Sequence, residues 1–161
     1  MDRDDFIDRK GERKVDFLKY YGLVEKVFAS DAGLSLAMFR LLFYLDSIPY
    51  FTRNDFVDGT VYYSWDKRLW NHLFQNGWLV KIKNGYRKNH DHNHYNVSLK
   101  GKQLISRTYR ILCGQEELPE KCIRTRDKKN ASYSDKVQKY AIKKMNESRA
   151  QDKLTNWDDL I

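Results

Sequence analysis

The segment from Leu34 to Ile105 restricts the fold more than any other part of this 161-residue chain. It opens on LSLAMFRLLFYL, passes through FTRNDFVDG, and ends on VYYSWDKRLWNHLFQNGWLVKIKNGYRKNHDHNHYNVSLKGKQLI. Helical spacing of apolar residues recurs in the first part. It then gives way to the alternation of a strand pair and returns to helical spacing. Ser35 is placed to cap the first of these helices, whose core face is Leu36, Phe39, Leu42, Phe43 and Leu45 or Ile48, with Pro49 ending it. Apolar over most of its circumference, this helix is expected to be the central one. Thr52 and Asp55 have the spacing of a capping box for a short helix with Phe56 and Val57, closed near Gly59. Ser64 is the expected cap of the next helix, Trp65 to Asn76. Leu69 and Leu73 face inward there, with Trp70 and Phe74 beside them, and Gly77 is a left-handed stop.

A hairpin follows. Trp78, Val80 and Ile82 alternate on one strand, and Tyr95, Val97 and Leu99 on the other. The Asn84-Gly85 pair would make a tight turn alone, but that turn sets Ile82 opposite Arg87. Matching apolar faces instead pairs Ile82 with Tyr95, Val80 with Val97 and Trp78 with Leu99. Lys83 to His94 is then a long, polar, basic tip. Lys100-Gly101-Lys102 is expected to turn the chain into a helix from Gln103 to Leu112, with Leu104, Ile105, Tyr109 and Leu112 inward. Helix, two short helices, hairpin with a long tip, helix: this order predicts a winged helix-turn-helix, mainly α with a small β-hairpin wing, and a C-terminal helical arm attached to it.

The flanks carry less information. Residues 5–29 read as a first helix, with Val15, Leu18, Leu23, Val27 and Phe28 near helical spacing and Phe17, Tyr20 and Tyr21 widening the face. Gly114 and Pro119 punctuate the chain after Leu112, and a basic linker runs to Asn130. Ser132 caps a last helix, Tyr133 to Arg149, with Val137, Tyr140, Ala141 and Met145 on one face. Leu154, Trp157, Leu160 and Ile161 follow among acids. The expected division is a winged-helix domain over 1–114, a linker over 115–130, and an arm over 131–161.

Lys and Arg outnumber Asp and Glu by 30 to 22, a formal +8. Between Lys81 and Arg110 the basic residues 81, 83, 87, 88, 100, 102, 107 and 110 face the single acid Asp91, whereas both ends are acidic. Such a balance favours a polyanionic partner. Cys113 and Cys122 are no disulfide framework, so a reducing compartment is expected. No apolar run is long enough to cross a bilayer, and the charged start MDRDDFIDRK is no signal peptide. The expected setting is the cytoplasm of a bacterial or phage-infected cell, without membrane contact.

FRLLFYL on the central helix, the helix ending in HLFQNGWLVKI, and NVSLKGKQLI after the wing resemble the MarR-type winged-helix regulators. The resemblance covers roughly residues 34 to 112. Val97, Leu99, Gly101 and Lys102 stand where that family has its strand-to-helix turn, although its Thr is absent or shifted. The family's Asp-Arg wing signature is missing; this wing reads RKNHDHNHY, and the helix after it is short. The resemblance implies a DNA-binding regulator, and a dimer formed through the helix after the wing, which is long in that family. The lysine-, asparagine- and tyrosine-heavy composition suggests a phage-encoded member.

For duplex DNA, Ser64, Trp65, Lys67, Arg68, Asn71 and Gln75 are expected on the outer face of the recognition helix. Arg and Lys suit guanine edges and Asn and Gln suit adenine. Lys83, Arg87 and Lys88 in the wing, with Lys100 and Lys102 behind it, are expected at phosphates or in the minor groove. Trp65 would stack on an unpaired base or pack on the first helix. His90, His92 and His94 alternate as metal ligands could, without an evident fourth; a solvated loop is the plainer reading, and neither a metal nor another cofactor is expected. Contiguous histidines do not make a dispersed HNH nuclease site, and no nucleophile-base pair or phosphate loop stands out, so no enzyme is expected. The alternative is a structural or adaptor protein of a large assembly such as a virion. It would dock on neighbours or on a second copy through the first helix and the arm, using Tyr140, Met145, Trp157 and Ile161.

Overall fold

A computed structural model describes residues 17–63, 65–83, 93–120 and 132–158. Among them the chain is mainly helical with one two-stranded antiparallel sheet. In order the elements are α1 (Phe17–Ala32), α2 (Leu36–Asp46), α3 (Arg53–Tyr63), α4 (Arg68–Gln75), β1 (Leu79–Lys83), β2 (His94–Val97), α5 (Leu99–Leu112) and α6 (Tyr133–Asp158). The chain divides into two compact units, one of residues 33–106 and one of residues 1–32 with 107–161. The second unit is therefore discontinuous, and α5 belongs to both. Val15, Ser64, the wing residues 84–92, the linker 121–131 and Ile161 lie outside the described residues.

In the unit of residues 33–106, α2 is the hub and packs on α3, α4 and β2. Its Phe39, Leu41, Leu42 and Leu45 are fully buried, whereas Leu36, expected on the core face, is exposed. Ser35 caps it, accepting the Met38 amide at 3.2 Å. The capping box of α3 forms as expected: the Thr52 amide donates to Asp55 at 2.6 Å and the Asp55 amide to the Thr52 hydroxyl at 3.4 Å. The helix does not close at Gly59 but runs to Tyr63. Gly59 is buried, and a Cβ there would meet the Tyr44 ring at 2.7 Å. Glycine at this position serves close packing instead of termination. Below α2 an aromatic cluster joins α3, α4 and β2. Trp70 lies 5.9 Å from Phe51, 5.5 Å from Phe56 and 5.0 Å from Tyr95 between ring centres.

The hairpin register differs from the expected one by a single residue. Leu79 pairs with Val97, Val80 with Asn96 and Lys81 with Tyr95, and a bulge at Ile82 then sets Lys83 opposite His94. Leu79 is 3% exposed, while Val80 and Ile82 are 42% and 49% exposed. Trp78 is buried too, but it precedes the strand, so its burial does not set the strand's parity. A one-residue slip exchanges the two faces of a strand. The other edge of β2 is held by the Phe51 carbonyl, which accepts the Tyr95 amide at 2.8 Å.

α5 starts four residues earlier than expected, at Leu99, because Ser98 caps it: the Ser98 hydroxyl accepts the Gly101 amide at 3.3 Å. Leu99 and Tyr109 are exposed instead of inward, and Ile105, Thr108, Ile111 and Leu112 are buried.

In the other unit, α1 packs on α6. Val24, Val27 and Phe28 are buried, but Leu18 is exposed. Ser132 caps α6 as expected, and the structure adds Asp135 to make a capping box, with amide-to-side-chain bonds of 3.0 and 3.2 Å. α6 continues past Arg149 to Asp158. Its inward residues are Ile142 and Met145, so the expected stripe is rotated and Val137 and Tyr140 are left exposed. Asn146 holds both backbone groups of Leu118, at 3.0 and 3.2 Å, and Arg149 donates to the last carbonyls of α5 at Ile111 and Leu112.

Candidate nucleic-acid interface

α4 is short and strongly two-sided. Trp70 and Leu73 are buried, while Arg68, Asn71, His72 and Gln75 are exposed, as is Lys67 at its start. The spacings 67–71–75 and 68–72 are four residues each, so these five side chains share one face. Eight helical residues rise about 12 Å, enough to present two turns of polar side chains. Asp66 organises the start of the helix: its carboxylate accepts the Arg68 amide at 2.8 Å, while the nominal cap Lys67 makes no side-chain capping bond. Asn76 closes the other end, donating from its side chain to the His72 carbonyl at 2.8 Å and meeting the His72 ring nitrogen at 2.9 Å. Gly77 follows at φ +70°.

Arg68 has an intramolecular partner. Its guanidinium contacts Asp66 at 2.8–2.9 Å on the open surface. The Arg68 hydrogen bond holds the Asp66 carboxyl below its ordinary range, and Asp66 in turn raises Arg68. Arg68 is almost fully exposed and Asp66 about half exposed, so a phosphate can compete for the guanidinium. Lys100 is more committed. Its ammonium stands 3.9 Å from the Trp78 ring centre and donates to the Asn76 carbonyl at 3.0 Å, which ties α5 to the end of α4. Lys102 is exposed on α5, and Lys81 is exposed on β1.

Two expected site residues are core residues. Trp65 faces inward, stacked on Tyr63 at 4.4 Å and edge-on to Tyr44 at 5.3 Å, and is buried. It is not presented for base stacking. Met145 is buried because α6 turns the 142/145 side inward, so it is no docking residue. Tyr140 is exposed. Lys83 ends β1, and Trp157 lies in the last turn of α6. Ser64, Arg87, Lys88 and Ile161 are outside the described residues, as are His90 and His92. His94 sits on β2 with its Nδ1 buried and unpartnered, and no group of three metal-ligating side chains occurs among the described residues.

His72, expected on the outer face of the helix, is exposed there, and Asp66 joins the site from the structure. The Asp66 signal was available, since Asp is a favoured cap, but Ser64 competed for the same role two residues earlier. No single helix among the described residues is long and apolar enough to cross a membrane. Comparison with known proteins finds no matching family model, no similar curated protein and no similar solved structure.

Proposed function

We propose that this chain is a non-enzymatic, MarR-like winged helix-turn-helix protein that binds double-stranded DNA, as a transcriptional regulator or a phage DNA-handling protein in the cytoplasm. The observation that carries the reading is the exposed face of α4, where Lys67, Arg68, Asn71, His72 and Gln75 stand together behind a buried Trp70–Leu73 face. Its context supports the reading: α3 and α4 pack in succession on α2, and a hairpin with a basic tip sequence follows at once. In this assignment α4 enters the major groove, with Arg68 exchanging Asp66 for a guanine edge or a phosphate and Asn71 and Gln75 suited to adenine. The tip containing Arg87 and Lys88 contacts backbone or minor groove. Lys102 adds phosphate contact, and Lys100 contributes chiefly by fixing α4 to α5.

The test is fluorescence anisotropy on a random-sequence duplex over a salt series. The expected result is a steep loss of affinity with salt. Charge reversal at Arg68 and Arg87 together is expected to abolish binding while leaving the thermal transition in place. Unchanged binding in that double variant would overturn the assignment.

A further inference from the structure

We infer that the outward face of α6 is a second nucleic-acid contact, of a different kind from α4: a platform for single-stranded DNA or RNA. Helical spacing of 100° per residue places Tyr133, Lys136, Val137, Tyr140, Lys143 and Lys144 on one side of α6, opposite the buried Ile142 and Met145. Tyr133 is 83% exposed and Tyr140 63% exposed. They lie seven residues apart, about 10.5 Å along the axis. Two exposed rings on one face are surfaces on which unpaired bases stack. The charge beside them is positive. Lys143 and Lys144 share one carboxylate, Glu147, at 3.8 and 3.7 Å, and with Lys136 beside them the face keeps a net excess of ammonium groups. The Lys144 ammonium also lies 5.8 Å from the Tyr140 ring centre, within the range at which a cation and a ring attract. A second copy of this helix would bring lysines against lysines if the two tyrosine halves met. A flexible polyanion with aromatic bases meets both features of the face at once, rings for the bases and ammonium groups for the phosphates. A duplex keeps its bases stacked and offers the tyrosines nothing, which separates this site from α4.

The experiment uses the full chain with two labelled probes, an oligodeoxythymidine strand and a random-sequence duplex, measured by anisotropy over a salt series. Tyr133→Ala with Tyr140→Ala is expected to weaken strand binding at least about fivefold per ring and to leave duplex binding unchanged. Tyr133→Phe with Tyr140→Phe, which keeps the rings, is expected to bind the strand as the parent does. Lys136→Glu, Lys143→Glu and Lys144→Glu together are expected to flatten the strand's salt slope by about 2. All of these positions are exposed, and circular dichroism checks that each variant stays folded. Loss of duplex binding with strand binding intact would remove the α4 reading and leave this one standing. Strand binding that is absent in the parent, or indifferent to both the alanine and the glutamate variants, would overturn it. So would a parent that binds an acidic amphipathic helical peptide on these residues but no strand.

Discussion

At Gly59 a methyl group would stand 2.7 Å from one atom of the Tyr44 ring and 3.0 Å from Trp65. Helix propensity alone favours alanine over glycine by about 1 kcal/mol. The two effects oppose each other, and packing is expected to win, since overfilling a tight contact costs about 1–3 kcal/mol. Gly59→Ala should therefore lower the urea midpoint, and a raised midpoint would mean the Tyr44–Trp65 contact is looser than described. Leu79 offers a sharper residue-level test. Replacing it by alanine is expected to cost about 2–5 kcal/mol, as for other buried leucines. Ile82→Ala, at a half-exposed bulge position, should cost far less. Equal losses would restore the register that apolar matching favours. That register was not legible because Trp78, Val80 and Ile82 alternate perfectly in sequence, and nothing in sequence shows that the ladder begins only at Leu79 or that Ile82 is bulged. Local chemistry was legible where a side chain bonds to its own neighbourhood. The caps at Ser35, Thr52–Asp55 and Ser132 form as expected. Ser98 carries the same signal, but Leu99 after it also fits the strand pattern, which masks the cap.

Element boundaries followed similar competition between local and tertiary signals. α6 was recognisable as a helix, but of its expected stripe only Met145 is buried, because Val137 competes with Ile142 for the inward side and only the partner α1 decides between them. The outer face of α4 was legible apart from Trp65, which the sequence placed on a helix that in fact begins at Arg68. The end of α5 rests on Glu116, whose carboxylate accepts from Arg107 at 2.7 Å and from Arg110 at 3.3 Å. The Arg107 hydrogen bond is the main cause that holds Glu116 below its ordinary range, with Arg110 adding to it against the opposing effect of burial. A carboxyl lowered on folding stabilises the fold fully above its unfolded value, about 4.3, and that contribution is lost as pH falls through the lower folded value. Glu116→Gln should therefore cost up to about 1 kcal/mol at neutral pH, the range for solvent-screened pairs. The gap from the parent should close in acid, below the folded value. A gap that persists unchanged at low pH would assign the cost to the side chain's shape and not to its charge.

At the scale of the molecule, the unit of residues 1–32 and 107–161 closes only when α6 returns to α1, about a hundred residues later in the chain. No local pattern announces such a pairing, which is why the sequence groups α1 with residues 34–112. The pairing is specific: Arg149 stands 4.9 Å from the Tyr20 ring centre while donating to the Ile111 and Leu112 carbonyls. Arg149 thus fastens α6 to α1 and to the end of α5 together. A chain ending at Asn130 loses Ile142, Met145 and Arg149 at one stroke, and apolar α1 surface that α6 covers becomes exposed to water. The unit of residues 33–106 keeps its own aromatic cluster around Trp70. The truncated chain is therefore expected to bind a hydrophobic dye and to lose helical signal beyond the share of α6 itself. It should still show protection from hydrogen exchange at the amides of α2 and α4. Protection lost in α2 and α4 as well would mean that the shared helix α5 transmits the damage and that the two units fold only together. Protection retained in α1 would mean that α1 holds its place without α6.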